Sequence, residues 1–182
     1  IDNIFFDPTI IGKLVGNEYH LGFNSVYQKH KNKIEAFIKN NVSRIKNINI
    51  SAHSRGGAIA NFMLDDLAPK YGDKKFNVRV YGTPSTFGGS RLSKFNKLIE
   101  QQNVDYKRIN LEGDPVPLLV QLFTTLNQPK GHTIYTGEGG LGFHSLRLLK
   151  KDLTEFKTMT EDVGGKGEQL KNNALAFLMT SF

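Results

Sequence analysis

Cysteine is absent from the 182 residues. Without a thiol the chain has no disulfide, no thiolate nucleophile and no cysteine-ligated zinc or iron–sulfur centre. A domain of this length buries enough core to stand without such staples, so the absence assigns no compartment. Long apolar runs are missing as well. No stretch approaches the roughly 18 residues of a membrane span, so no transmembrane helix is expected. The start, Ile1-Asp2-Asn3-Ile4, has no basic flank and no cleavable apolar stretch, so no signal peptide is expected; secreted and cytoplasmic locations both stay open. It also has no initiating Met, which fits a truncated piece of a longer protein. No metal-ligand spacing, such as two His at i and i+4, is present.

Acidic residues are the scarcer charge, 17 against 24 basic, and the formal net charge is +7. A basic surface can serve nucleic acid or an anionic membrane. The lysines, however, sit on the polar side of a helix pattern (Lys29, Lys31, Lys33, Lys39) or in a polar connection (Lys70, Lys74, Lys75). None is interleaved with aromatics as a base-stacking surface requires. Nucleic acid is therefore not an expected partner, while a transient membrane contact remains open. The apolar share, about 45% with Gly counted and Tyr left out, is that of one globular domain rather than a disordered or fibrous chain.

Apolar residues recur at helical spacing from Phe23 to Ile38, through Val26, Tyr27, His30, Ile34 and Phe37. That helix is expected to end near Asn40-Asn41. Further segments alternate: a strand over Ile45–Ser51, a helix over Gly56–Leu67, a strand over Phe76–Tyr81, a helix over Ser90–Gln102 and a strand over Tyr106–Leu111. Ile4–Phe6 is a short strand candidate. Strands alternating with helices of ten or more residues predict parallel strands and a three-layer α/β fold. Past Asp114 the periodicity weakens. A Gly-rich loop (Thr136–Gly142) and a short helix (Phe143–Lys151) follow, and a last helix candidate covers Leu170–Leu178.

The strongest chemical signal is Ala52-His53-Ser54-Arg55-Gly56-Gly57-Ala58, between a strand and a helix. Ser54 stands at the apex of a strand–turn–helix, the setting of a nucleophile elbow. Such a turn crowds the positions two before and two after the serine, here Ala52 and Gly56. It lifts the hydroxyl out of the sheet and aims the Arg55 N–H, at the helix N-terminus, toward a developing oxyanion. The competing reading is an ordinary junction whose Ser54 caps the helix. A triad also needs a His base and a carboxylate to orient it, following the serine as acid, then His. Asp114, just past a strand, is at the carboxyl edge of the sheet. Asp65, Asp66 and Asp73 fall in or after the helix behind the elbow, and Asp105 is expected at the opposite edge. Asp114 leads by elimination, against a plain turn role before Pro115. His132 and His144 both follow it, so order alone does not choose the base.

Four motifs taken in order resemble the class 3 lipase family, the fungal-lipase-like branch of the α/β-hydrolases. His20-Leu21-Gly22-Phe23 is similar to its His-x-Gly-Phe. The Ser54 segment is similar to its Gly-His-Ser-x-Gly-Gly-Ala, with Ala52 in place of the first Gly. Val80-Tyr81-Gly82-Thr83-Pro84 is similar to its Phe-Gly-x-Pro, and Asn110 through Pro117 to its Asn-x-x-Asp-x-Val-Pro. The likeness covers about residues 20–145. It implies an α/β-hydrolase domain, expected over 1–151; residues 152–182 have no counterpart in the family, and the apolar spacing of Leu170, Ala174, Leu175 and Leu178 reads as a helical appendage of the same domain, with a lid or membrane-contacting element as the sharper alternative. It also implies a lipid ester substrate (acylglycerol or phospholipid), no cofactor, and the catalytic acid's role for Asp114. His132 resembles a structural His that family members carry on a short strand. His144, beyond the Gly-rich loop, stands where the family delivers its base. The family's Arg-Gly-Thr segment, whose hydroxyl residue is the second oxyanion donor, has no counterpart. Either truncation removed it, which is the favoured expectation, or Asp7-Pro8-Thr9 stands in with Thr9 as donor. A lipase-like interaction domain without activity is the alternative. His53 is expected to point into the fold, and His20 and His30 to belong to the helix region. Gly137 to Gly142 fits a dinucleotide G-x-G-x-x-G only literally, without the strand, the long helix or the acidic residue that such a site needs.

Overall fold

The structure, a computed structural model, describes residues 18–111, 114–130 and 133–136. Helix α1 spans Leu21–Asn41 and buries Phe23, Tyr27 and Ile38, one apolar stripe at three- to four-residue spacing. His20 caps it: Nδ1 accepts the Phe23 N–H at 3.3 Å and the imidazole stacks on the Phe23 ring, centroids 3.8 Å apart. Phe37 and His30, expected on the buried face, are exposed, Phe37 at 67%. Position 37 lies one residue, about 100° of helix rotation, behind Ile38, which takes the inward place.

Strand β1 (Asn47–His53) leads into α2 (Arg55–Leu67), β2 (Lys75–Tyr81), α3 (Gly89–Ile99), β3 (Val104–Leu111), α4 (Val116–Phe123) and β4 (Thr133–Thr136). The four strands form one parallel sheet in chain order β1-β2-β3-β4. Right-handed crossovers between sequential parallel strands put successive helices on the same face. One core cluster accordingly joins Ile48, Ile50, Val78 and Val80 of the sheet to residues of α1, α2 and α3. Phe62, Phe87, Phe95 and Tyr106 make a chain of ring contacts through it, centroids 5.0, 4.9 and 5.7 Å apart. Helix α1 lies on α2, where Asp66 accepts the Tyr27 hydroxyl at 2.7 Å and pairs with Lys31 and Lys70.

The other face of the sheet is different. Asn47, Asn49 and Ser51 are exposed on β1, Asn77 bonds Asn49 across the strands at 2.7 Å, and Arg79 pairs with Asp105. A parallel sheet covered on both faces normally reads as continuous apolar strands, whereas β1 and β2 alternate. Among the described residues, Tyr81, Ile109 and Leu111 form a small apolar cluster there, toward the carboxyl ends. Element bounds differ from expectation by two or three residues: β1 starts at Asn47, α3 ends at Ile99 and β3 starts at Val104, so Asp105 is inside the strand, at its amino end. Helix α4 has no counterpart in the sequence reading. Thr136, expected to open the Gly-rich loop, ends β4, while Ile4–Phe6 and everything from residue 137 onward lie outside the described residues.

The His20 cap makes stability depend on pH. Burial of the imidazole pushes its pKa down from 6.5 to about 4. Folding therefore favours the neutral ring, the form that accepts the Phe23 N–H. The contribution is complete above pH 6.5 and is lost as pH falls from 6.5 toward 4, at up to about 1.4 kcal/mol per pH unit. Urea unfolding should show the parent losing about 1.6 kcal/mol more than His20→Asn between pH 6.5 and pH 5, because Asn caps without titrating. Equal pH dependence of the two proteins would refute the assignment.

Candidate active site

Ser54 joins β1 to α2 with φ 56° and ψ −129°, and it is the one non-glycine residue with positive φ among the described residues. A side chain at such φ costs on the order of 1–3 kcal/mol and persists only where its surroundings over-determine it. They do so here. The Ser54 N–H donates to the Tyr81 carbonyl at 2.8 Å, and the Ser54 carbonyl accepts the N–H groups of Gly57 and Ala58 at 2.9 and 3.4 Å. Ser54 stands at the N-cap position of α2, yet its hydroxyl makes no capping hydrogen bond. The ordinary-junction reading required that bond. Ser54 is instead half-buried at the carboxyl edge of the sheet, and Arg55 opens the helix beside it.

The steric account of the turn shifts by one residue. A Cβ at Gly56 would meet that of Ala52 at 3.9 Å, an ordinary contact, so a small residue suffices there. The tight place is Gly57. A Cβ at that position would fall 1.9 Å from Oγ1 and 2.9 Å from Cβ of Thr83, which is fully buried. The first turn of α2 is thus pressed against the segment that leaves β2. That segment turns at Gly82 (φ 51°), whose N–H donates to the Ile109 carbonyl at 2.9 Å. Gly57→Ala should destabilise the fold by about 1–3 kcal/mol, as overpacking does, and adding Thr83→Ala, which removes Oγ1 and Cγ2 but keeps the Cβ, should restore part of that. Additive losses in the double variant, measured by denaturant unfolding, would contradict the contact.

Asp114 is 2% exposed and follows β3 through a turn in which its N–H donates to the Leu111 carbonyl at 3.2 Å. Its Oδ1 accepts the Val116 N–H at 2.9 Å, which orients the carboxylate and opens α4. The turn role and the acid role are therefore compatible, since a carboxylate accepts several donors. Three residues stand between Asn110 and Asp114, one more than in the family motif. The other carboxylates considered for the acid are engaged elsewhere: Asp65 with Arg91, Asp66 with Tyr27 and the two lysines, Asp73 with Lys74, and Asp105 with Arg79. Strands β1 and β3 flank β2, so Ser54 and Asp114 leave the same edge of the sheet two strand spacings apart, roughly 10 Å. An imidazole with a hydrogen bond on each side is the right size to span their side chains. Both candidates for it, His132 and His144, lie outside the described residues, as does Thr9. His53 ends β1 with Nε2 shielded from solvent, in keeping with a structural place, and His30 faces solvent.

Sequence reasoning missed Thr83 and Arg108. Thr83 was visible only as the residue before a proline, although a Gly-Gly pair after the serine signals that something approaches the helix closely. Arg108 is a charge at an inward position of β3, in register with Val80, and it is fully buried.

The sequence model of the class 3 lipases matches residues 3–123. No curated protein sequence matches the chain. Among solved structures, a variant of MDLA from Penicillium cyclopium is 19% identical with a TM-score of 0.58, covering 86% of this chain and 55% of its own. The lipase of Rhizopus microsporus var. chinensis is 18% identical with a TM-score of 0.54, covering 69% and 45%. The triacylglyceride lipase of Rhizomucor miehei is 21% identical with a TM-score of 0.53, covering 66% and 46%. The chain thus spans about half the length of the solved lipases it resembles, and it shares their α/β-hydrolase fold with a parallel sheet. With a family match that runs from before α1 to the end of α4, the chain belongs to the class 3 lipase family.

Proposed function

We propose that this chain carries a serine carboxylic-ester hydrolase centre acting on lipid esters, acylglycerols or phospholipids, through an acyl-enzyme. The observation that carries the reading is the strained backbone of Ser54 together with a hydroxyl that caps nothing. Strain of this kind, held in place by surrounding bonds and serving no structural bond of its own, belongs to functional turns. In the proposed reaction the Ser54 Oγ attacks the ester carbonyl carbon while His144 takes its proton. Asp114 holds the imidazole and stabilises its charged form. The Arg55 N–H faces the oxyanion of the tetrahedral intermediate. Collapse expels the alcohol, which takes the proton from His144. Water then attacks the acyl-Ser54 ester by the same route and releases the acid. Nothing in this chemistry calls for a cofactor. A brief contact with a lipid surface, favoured by the net charge of +7, belongs to the same reading.

A fluorophosphonate probe tests it: the label should appear on the peptide containing Ser54 in the folded chain. A folded chain that takes no label would support the second reading, a lipase-like interaction domain. The second oxyanion donor is assigned to Thr9 if Thr9→Val lowers kcat by about 10²–10³, the usual loss for one such donor. An unchanged rate would place that donor elsewhere.

A further inference from the structure

Arg108 is fully buried on the inner side of β3, the side that also carries Val104 and Tyr106. Its guanidinium donates to the Thr83 carbonyl. An aliphatic residue would fill such a place without the desolvation of a cation, so packing alone does not account for it. What Arg108 grips does. Thr83 opens a buried segment, Thr83-Pro84-Ser85-Thr86, that lies between the two halves of the candidate site. On one side the Thr83 side chain fills the space beside Gly57, in the first turn after Ser54. Its hydroxyl also lies 3.4 Å from the Tyr81 carbonyl, the group that accepts the Ser54 N–H. On the other side the Ser85 hydroxyl donates to the Pro117 carbonyl at 3.3 Å, three residues past Asp114. The far end is tied by Asn61, whose amide donates to the Thr86 hydroxyl at 3.0 Å while accepting the Tyr106 hydroxyl at 3.0 Å.

We propose that Arg108 is a positioning residue for the nucleophile: by clamping the Thr83 carbonyl it seats Thr83 against Gly57 and so sets where the Ser54 hydroxyl and the Arg55 N–H stand. The inference rests on the reading of Ser54 as nucleophile. A displacement of about 1 Å at a reacting group costs on the order of 10²-fold in rate, so a clamp of this kind is read in reactivity rather than in binding.

The test follows fluorophosphonate labelling of the full 182-residue chain, separating the maximal labelling rate from the probe concentration at half saturation. Arg108→Met should lower the maximal rate by about 10- to 100-fold with half saturation changed less than about twofold. Arg108→Lys, which keeps a donor for the Thr83 carbonyl, should recover most of that rate. Thr83→Ala, which leaves the clamp but empties the space beside Gly57, should lose at least about tenfold, and it decides the matter if the Met variant does not fold. Labelling at the parent rate in Arg108→Met or Thr83→Ala overturns the proposal. So do equal losses in the Met and Lys variants that merely follow their melting temperatures. Ser54→Ala separates the two levels. If it takes no label while Arg108→Met labels like the parent, the positioning role alone fails; if it still labels fully, the nucleophile reading falls and this inference with it.

Discussion

Replacing Ser54 with Ala is expected to abolish hydrolysis of short-chain esters, lowering kcat on the order of 10⁴–10⁶, with the fold intact. Both halves of that expectation come from the same turn. The hydroxyl caps no helix N–H, so removing it deletes no structural bond. Ala at φ 56° bears the same backbone strain as Ser, and the bonds that hold the turn run through the main chain: Ser54 N–H to Tyr81, Gly57 N–H to Ser54. Melting temperature should therefore stay within a degree or two while the reaction loses its attacking oxygen. Activity within about tenfold of the parent would refute the elbow as the site. A large fall in melting temperature would instead return Ser54 to a structural role.

The elbow and the sheet were legible in the sequence because each rests on a local rule. Alternation over Phe76–Tyr81 and helical spacing over Arg55–Leu67 are set by which side chains face the core, and both elements appear nearly as expected. Helix α4 was illegible for the opposite reason. Val116–Phe123 is apolar at every position but Gln121, so it has no clear periodic face, and its Pro117 reads as a breaker although proline is at home in a first helical turn. Contacts between segments far apart in sequence leave still less trace. That Gly57, rather than Gly56, is the position without room depends on Thr83, 26 residues away. The inward Arg108 looks like one more surface charge until the register with Val80 puts it in the core. Asp114 was legible by place, just past a strand end. Its bond to the Val116 N–H accounts for the turn role and is compatible with the proposed role as acid.

The choice of base carries the other large effect. His132 and His144 come 18 and 30 residues after Asp114. The base must reach Ser54 on one side and Asp114 on the other, across the roughly 10 Å that separate their strand ends. His132 directly precedes β4 (Thr133–Thr136), whose register on β3 pairs Thr133 with Arg108 and Thr136 with Leu111. Thr133, the first residue of β4, therefore stands beside the middle of β3, whereas Ser54 and Asp114 lie past the carboxyl ends of β1 and β3. At about 3.3 Å per residue, the three steps from Thr133 to Thr136 set the start of β4 back about 10 Å from its carboxyl end, and His132 comes before that start in the chain. His144 follows β4 by eight residues, six of them the Gly-rich Gly137–Gly142, enough chain to return over the edge. His144→Ala should thus match Ser54→Ala in its loss of kcat, whereas His132→Ala should cost less than about a hundredfold. The two variants are compared at one pH with the same short-chain ester, with melting temperatures alongside to show that both fold. The reverse ranking would make His132 the base and His144 structural.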